Sequence, residues 1–129
     1  MAAQDAGADA IVVAAPPVGR ARNTAGRWIS GELRSPALVP LYTERVYEVA
    51  SATMVPIIAC GEASSAQDVL AMLAAGASAL QLASILWVRP GIIGDVYEAL
   101  EAEMSARSVS RWEDLLVALQ KGDHDPTGG

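Results

Sequence analysis

One glycine-bearing stretch, Gly61-Glu-Ala-Ser-Ser65, follows a short apolar run and leads straight into a helical pattern. Such a junction leaves backbone N–H groups unpaired at the positive end of a helix, which suits a phosphate. A plain structural turn explains Gly61 about as well. Two more stretches stand beside apolar runs: Ala14 to Ser35, with Gly19, Gly26 and Gly31, and Ala83-Ser84-Ile85. A connection as long as the first is usually functional or mobile. Arg20, Arg22, Arg27 and Arg34 give it a loose basic character inside an acidic chain. It is either a solvated loop or a loop that faces an anionic ligand.

The remaining chemical inventory is sparse. The single Cys, Cys60, closes an apolar run and reads as a buried apolar residue. One cysteine excludes an internal disulfide and a Cys-based metal site. The single His, His124, lies in a Gly/Asp/Pro tail expected to be disordered over 121–129, so His-centred catalysis is not expected. Nine Lys and Arg against fifteen Asp and Glu leave a net charge of -6, which argues against nucleic acid as a partner. No apolar run approaches the ~20 residues that cross a bilayer. Met1 to Asp9 holds two acids and no base, unlike a secretory signal, so a cytoplasmic location is expected.

Three short apolar runs, Ala10–Ala14, Val55–Cys60 and Ala79–Ala83, do not alternate and suit parallel strands buried on both faces. Helical patterns separate them. One opens near Pro36 or Pro40 and carries Tyr42, Val46, Val49 and Ala50 on one face. The next has Ser64 or Ser65 as N-cap, Asp68 in its first turn, and Gly76 at its end. A third follows Pro90 with Ile92, Ile93, Val96, Tyr97, Leu100 and Met104, and a last one, capped by Ser110, carries Trp112, Leu115, Leu116 and Leu119. Trp28, Trp87 and Trp112 are expected in the core or an interface, with Trp87 placed to flank a ring.

The order β-α-β-α-β-α-α implies an α/β fold with a parallel sheet. Asp5-Ala-Gly-Ala-Asp-Ala10 and Ala75-Gly-Ala-Ser-Ala79 repeat nearly the same text before a strand. A repeated βα unit is what a (β/α)8 TIM barrel is made of, but a whole barrel needs ~250 residues. The expectation is therefore a partial barrel of about three βα units over residues 1–120, with open edges. Such a part either forms a homo-oligomer or docks with an N-terminal barrel part.

Longer stretches carry a family resemblance. Gly31-Glu-Leu-Arg-Ser-Pro-Ala-Leu-Val-Pro-Leu41 is similar to the GGLSGPAIKPI segment of dihydroorotate dehydrogenases. The likeness continues through Val46–Ala50, Val55–Ile58 and Gly61–Ser78, and ends in Gln81-Leu-Ala-Ser84. Ala6–Ala10 and Arg107–Asp114 resemble flanking segments of the same family, and the flavin domain of dihydropyrimidine dehydrogenases is also similar. The resemblance implies an FMN-dependent oxidoreductase of pyrimidine biosynthesis that oxidises a dihydropyrimidine ring. It also implies cofactor-binding positions at Gly31, Ser35, Gly61, Glu62, Ala83 and Ser84. The family's proton-abstracting base and flavin-contacting Lys fall on earlier loops, so no catalytic residue is assigned here.

Departures sit at ligand-facing positions. Both family Gly-Gly pairs are Gly-Glu, at Gly31-Glu32 and Gly61-Glu62; the family's Ser-Gly is Arg34-Ser35. The Asn-Thr that contacts the pyrimidine falls on Ala15-Pro16, which removes a donor/acceptor pair and a backbone N–H. A carboxylate ~4 Å from a phosphate costs about 4 kcal/mol near a protein surface, unless Arg34 offsets it or Glu62 turns to solvent. Three readings follow: a flavin oxidoreductase, a non-catalytic half-barrel assembly or binding module, and another phosphate-binding barrel. The unbroken likeness up to Ser78 argues against the third.

Overall fold

A computed structural model describes residues 2–13 and 15–122. A short helix α1 (Ala2–Asp5) leads to strand β1 (Ile11–Val13), and a hairpin of β2 (Val18–Arg22) and β3 (Trp28–Glu32) follows. A 3-10 turn (Pro36–Leu38) and helix α2 (Val39–Ala52) precede β4 (Ile57–Cys60). Then come α3 (Ala66–Ala74), β5 (Ala79–Gln81), a single turn α4 (Ile85–Val88), α5 (Ile92–Ala106) and α6 (Trp112–Gly122). Strands β1, β4 and β5 form a parallel sheet in that order, and β2 and β3 pair antiparallel. Of the expected tail, 121–122 continue α6, and 123–129 lie outside the described residues. Among the described residues no helix is long and apolar enough to cross a membrane.

The duplicated Ala-Gly-Ala text has a physical meaning. At both copies the glycine takes a left-handed conformation, with φ of 87° at Gly7 and 115° at Gly76. At both, two backbone bonds close the helix end: Gly7 N–H to Gln4 and Ala8 N–H to Ala3, Gly76 N–H to Leu73 and Ala77 N–H to Met72. This doubly bonded stop reverses the chain toward the next strand. At Gly76 a Cβ would meet the Ala50 Cβ at 2.5 Å, so glycine also lets α2 and α3 approach. The same stop ends α5 with Ser108 in the glycine position, at φ 54°.

The expectation that the strands are covered on both faces needs correction. Pairing aligns Val13, Ala59 and Leu80 on one face, and Val12, Ile58 and Ala79 on the other. The first row meets a core built from Tyr42, Val46, Val69, Met72, Leu73, Leu115 and Leu119 of α2, α3 and α6. The second row meets nothing comparable: Val12 is 59% exposed. A barrel interior is filled by inward residues of several strands, and three strands cannot supply them. Cys60 lies on this open face and is half-buried rather than buried.

Residues 15–35 also depart from an irregular loop. The turn is held by the Asn23 side chain accepting from Arg27 N–H, and by Gly26 at φ 74°. Arg20 donates to Ser30, and Arg22 donates to the Gly26 carbonyl and lies over the Trp28 ring. Trp28 and Trp87 are exposed, and Trp112 sits at the exposed rim of α6, so none of the three is in the core.

Ser108→Gly should raise the free energy of unfolding by about 0.5–1 kcal/mol, because relief at the left-handed position exceeds the added chain entropy. Gly76→Ala should lower it by about 2 kcal/mol or more, combining backbone strain with the clash at Ala50. Urea unfolding of both variants checks the pair of opposite signs.

Candidate functional site

The loops that leave β3, β4 and β5 converge on one small cleft. Its lining includes Pro16, Arg34, Gly61, Glu62, Ala83 and Ser84. Four of the six expected cofactor positions therefore come together: Gly61, Glu62, Ala83 and Ser84. Gly31 and Ser35 do not line it. Gly31 is exposed within β3, and an added Cβ there would meet nothing within 4 Å. Ser35 spends its hydroxyl as the cap of the 3-10 turn, accepting from Ala37 N–H at 3.2 Å.

Glu62 is the centre of the cleft. Its side chain is only 11% exposed, so it does not turn to solvent. One carboxylate oxygen accepts from Arg34 at 2.8 Å, and the other accepts from the Ser84 hydroxyl at 3.0 Å. Arg34 also pairs with Glu32 at 2.7 Å. Glu32 first, and then Glu62, hold the guanidinium even more firmly protonated than usual. Of the four arginines in the basic stretch, only Arg34 reaches the cleft. Arg20 and Arg22 are used inside the hairpin.

Gly61 is needed by packing. A Cβ there would meet Met72 Cε at 2.9 Å and the Tyr42 ring at 3.1 Å. The helix start that follows is capped by its own side chains. Asp68 accepts from Ser64 and Ser65 N–H at 2.8 and 3.0 Å, while Ser65 Oγ accepts from Asp68 N–H. This reciprocal capping box engages the Ser64, Ser65 and Asp68 N–H groups.

Two participants gave no local signal in the sequence. Arg89, after α4, donates to the Ser64 carbonyl at 3.1 Å and pairs with Asp95, tying the β5 loop to the β4 loop. Tyr42 is 4% exposed, and its hydroxyl is buried without a hydrogen-bond partner. Burial first, and then the nearby Glu62 carboxylate, push that hydroxyl above its usual range. Its periodic position marked Tyr42 as core, and only the folded chain shows that its polar end is stranded beside the cleft.

Against this geometry the FMN expected from the resemblance can be tested. The cleft encloses about 10 Å³, roughly the room one water needs. The residues present do not fit an FMN phosphate. A carboxylate holds the cation and the hydroxyl, and Ala15-Pro16 offers no side-chain hydrogen bond to a ring.

Parallel strands feeding helices, with polar side chains gathered where the strands end, define an α/β chain of the barrel class. The family model described as dihydroorotate dehydrogenase matches residues 11–104. The chain belongs to the dihydroorotate dehydrogenase family. It is 33% identical over 124 residues to the catalytic subunit of dihydroorotate dehydrogenase B (NAD(+)) from Pelobacter propionicus, covering 92% of this chain and 41% of that one. The corresponding Bacillus pumilus subunit is 36% identical over 87 residues, covering 67% and 28%. The chain thus spans less than half the length of these relatives. In structure it matches DHODH from Eimeria tenella, solved in complex with ferulenol, with a TM-score of 0.72 and 22% identity over 88% of this chain and 32% of that one.

At alkaline pH the stranded hydroxyl has a measurable consequence. The unfolded chain ionises Tyr42 near the ordinary value of about 10, while the folded chain keeps the proton to higher pH. Stability conferred by the neutral form is thus lost as pH rises past 10. Tyr42→Phe should flatten that decline in unfolding free energy, and at pH 7 it should be neutral or stabilising by up to about 1 kcal/mol.

Proposed function

We propose that this chain acts as a non-catalytic assembly module of dihydroorotate-dehydrogenase ancestry, docking on further βα units instead of carrying flavin chemistry. The observation that carries this reading is an apolar groove of about 680 Å³ beside β5, walled by α3 and α5. Strand β5 has β4 on one side, and among the described residues no strand pairs with the other. Ile93 and Tyr97, one turn apart on α5, open onto this groove and are exposed. An unpaired parallel edge with an apolar helix beside it accepts one kind of occupant best: another strand with its own amphipathic helix. The proposed occupant is the N-terminal part of such a barrel, supplied by the same polypeptide or another. The length of the relatives beyond the matched region supports that choice.

A second reading has family membership in its favour, since the relatives named above are catalytic subunits. On that reading the chain is the C-terminal part of an enzyme that oxidises a dihydropyrimidine with FMN in pyrimidine biosynthesis, in the cytoplasm. The base and the flavin-contacting Lys would come from the added part.

Sedimentation velocity separates the outcomes. The 129-residue chain should self-associate at micromolar concentration. It should form a defined complex when co-expressed with the N-terminal part of the Pelobacter barrel, and Ile93→Glu/Tyr97→Glu should abolish both. A monodisperse monomer that ignores this partner contradicts the proposal. A co-expressed complex that purifies with bound FMN favours the second reading.

A further inference from the structure

We infer that Glu62 is the resident anion of the cleft, and that the chain rejects phosphomonoesters because its own carboxylate already holds Arg34 and Ser84. Two features of the cleft point the same way. Glu62 takes the cation at 2.8 Å and the hydroxyl at 3.0 Å, one oxygen each, and Glu32 takes a second guanidinium donor at 2.7 Å, so the Arg34 edge that faces Ser84 is already occupied by a carboxylate. The cleft beside it holds about 10 Å³, far too little for a tetrahedral dianion.

The electrostatics are one-sided. Arg34 already faces Glu32 and Glu62, so the cluster carries one net negative charge from two carboxylates and one guanidinium. Each unit of phosphate charge entering there meets about a thousandfold penalty from Glu62 alone. Removing the Glu62 carboxylate brings the cluster to neutrality, with Arg34 still paired to Glu32, and frees one guanidinium edge and the Ser84 hydroxyl as donors with no acceptor between them. Space opens at the same place. The ligand class then accepted is a phosphate monoester, free or at the end of a larger molecule.

This inference rests on side-chain contacts within the chain and goes beyond the assembly reading, so it survives if the chain proves monomeric. Calorimetric titration of the 129-residue chain with inorganic phosphate, and flavin-fluorescence titration with FMN, form the test. The native chain should show no saturable binding of either up to millimolar concentration. Glu62→Gly should bind inorganic phosphate at least about tenfold more tightly, and Arg34→Ala added to it should remove the gain. Binding of FMN as well as phosphate by Glu62→Gly identifies the flavin's phosphate as an admissible source; binding of phosphate alone restricts the site to the free ion. Should Glu62→Gly fail to fold by circular dichroism, Glu62→Gln, which keeps the volume, decides by the same criterion. Tight binding by the native chain, or no gain in a folded Glu62 variant, overturns the inference.

Discussion

Three segments far apart in the chain meet at one carboxylate. Arg34, just after β3, and Ser84, just after β5, both bond Glu62, which follows β4. A half-exposed guanidinium and a largely buried Glu do not make a large energetic contribution, because screening and side-chain entropy offset most of the attraction. Their importance is geometric. A Glu side chain this shielded cannot be left unpaired without penalty, so the loops that satisfy it are constrained to stay together. The Arg89 bond to Ser64 adds a second tie between the β4 and β5 loops.

Packing beneath this cluster explains why it sits where it does. Gly61 lets the backbone lie against Tyr42 and Met72, which places Glu62 directly over the strand ends. Gly76 lets α3 approach α2 through Ala50. The helix-facing side of the sheet is therefore closely packed and the other side is bare, with Val12 among its exposed residues. On the proposed reading, further βα units cover that side. Assembly and site chemistry thus lie at different ends of the same physical problem: one face asks for more strands, while the loop ends have already supplied their own counter-ions.

Much of this was legible in the sequence because the signals were local. The strand runs, the Ser65/Asp68 helix start and the glycine stops depend on neighbours a few residues away, and the Ala-Gly-Ala repeat announced two identical stops before they were seen. The hairpin was not legible. Val18–Arg22 and Trp28–Glu32 lack clean alternation, because both strands are solvated on nearly every residue and no core face imposes a period. The bare sheet face escaped as well, since a non-alternating strand reads as covered on both sides whether or not its second cover is present. At the site, the Gly-Glu departures were visible, but their consequence was not. Whether Glu62 faced solvent or Arg34 depended on a contact across 28 positions, and the Arg89 tie across 25 positions. The core half of the tryptophan expectation failed for a simpler reason: size suggests burial, while Trp28 lies on an open hairpin and is covered on one side by Arg22.

The central claim is that the chain fills its own anion position. A crystal structure of the native chain grown in the presence of FMN and inorganic phosphate tests it most directly. The account predicts the Glu62 carboxylate within hydrogen-bonding distance of both Arg34 and Ser84, and no phosphate density between them. Phosphate bound to Arg34 and Ser84, with Glu62 swung out into solvent, would contradict it.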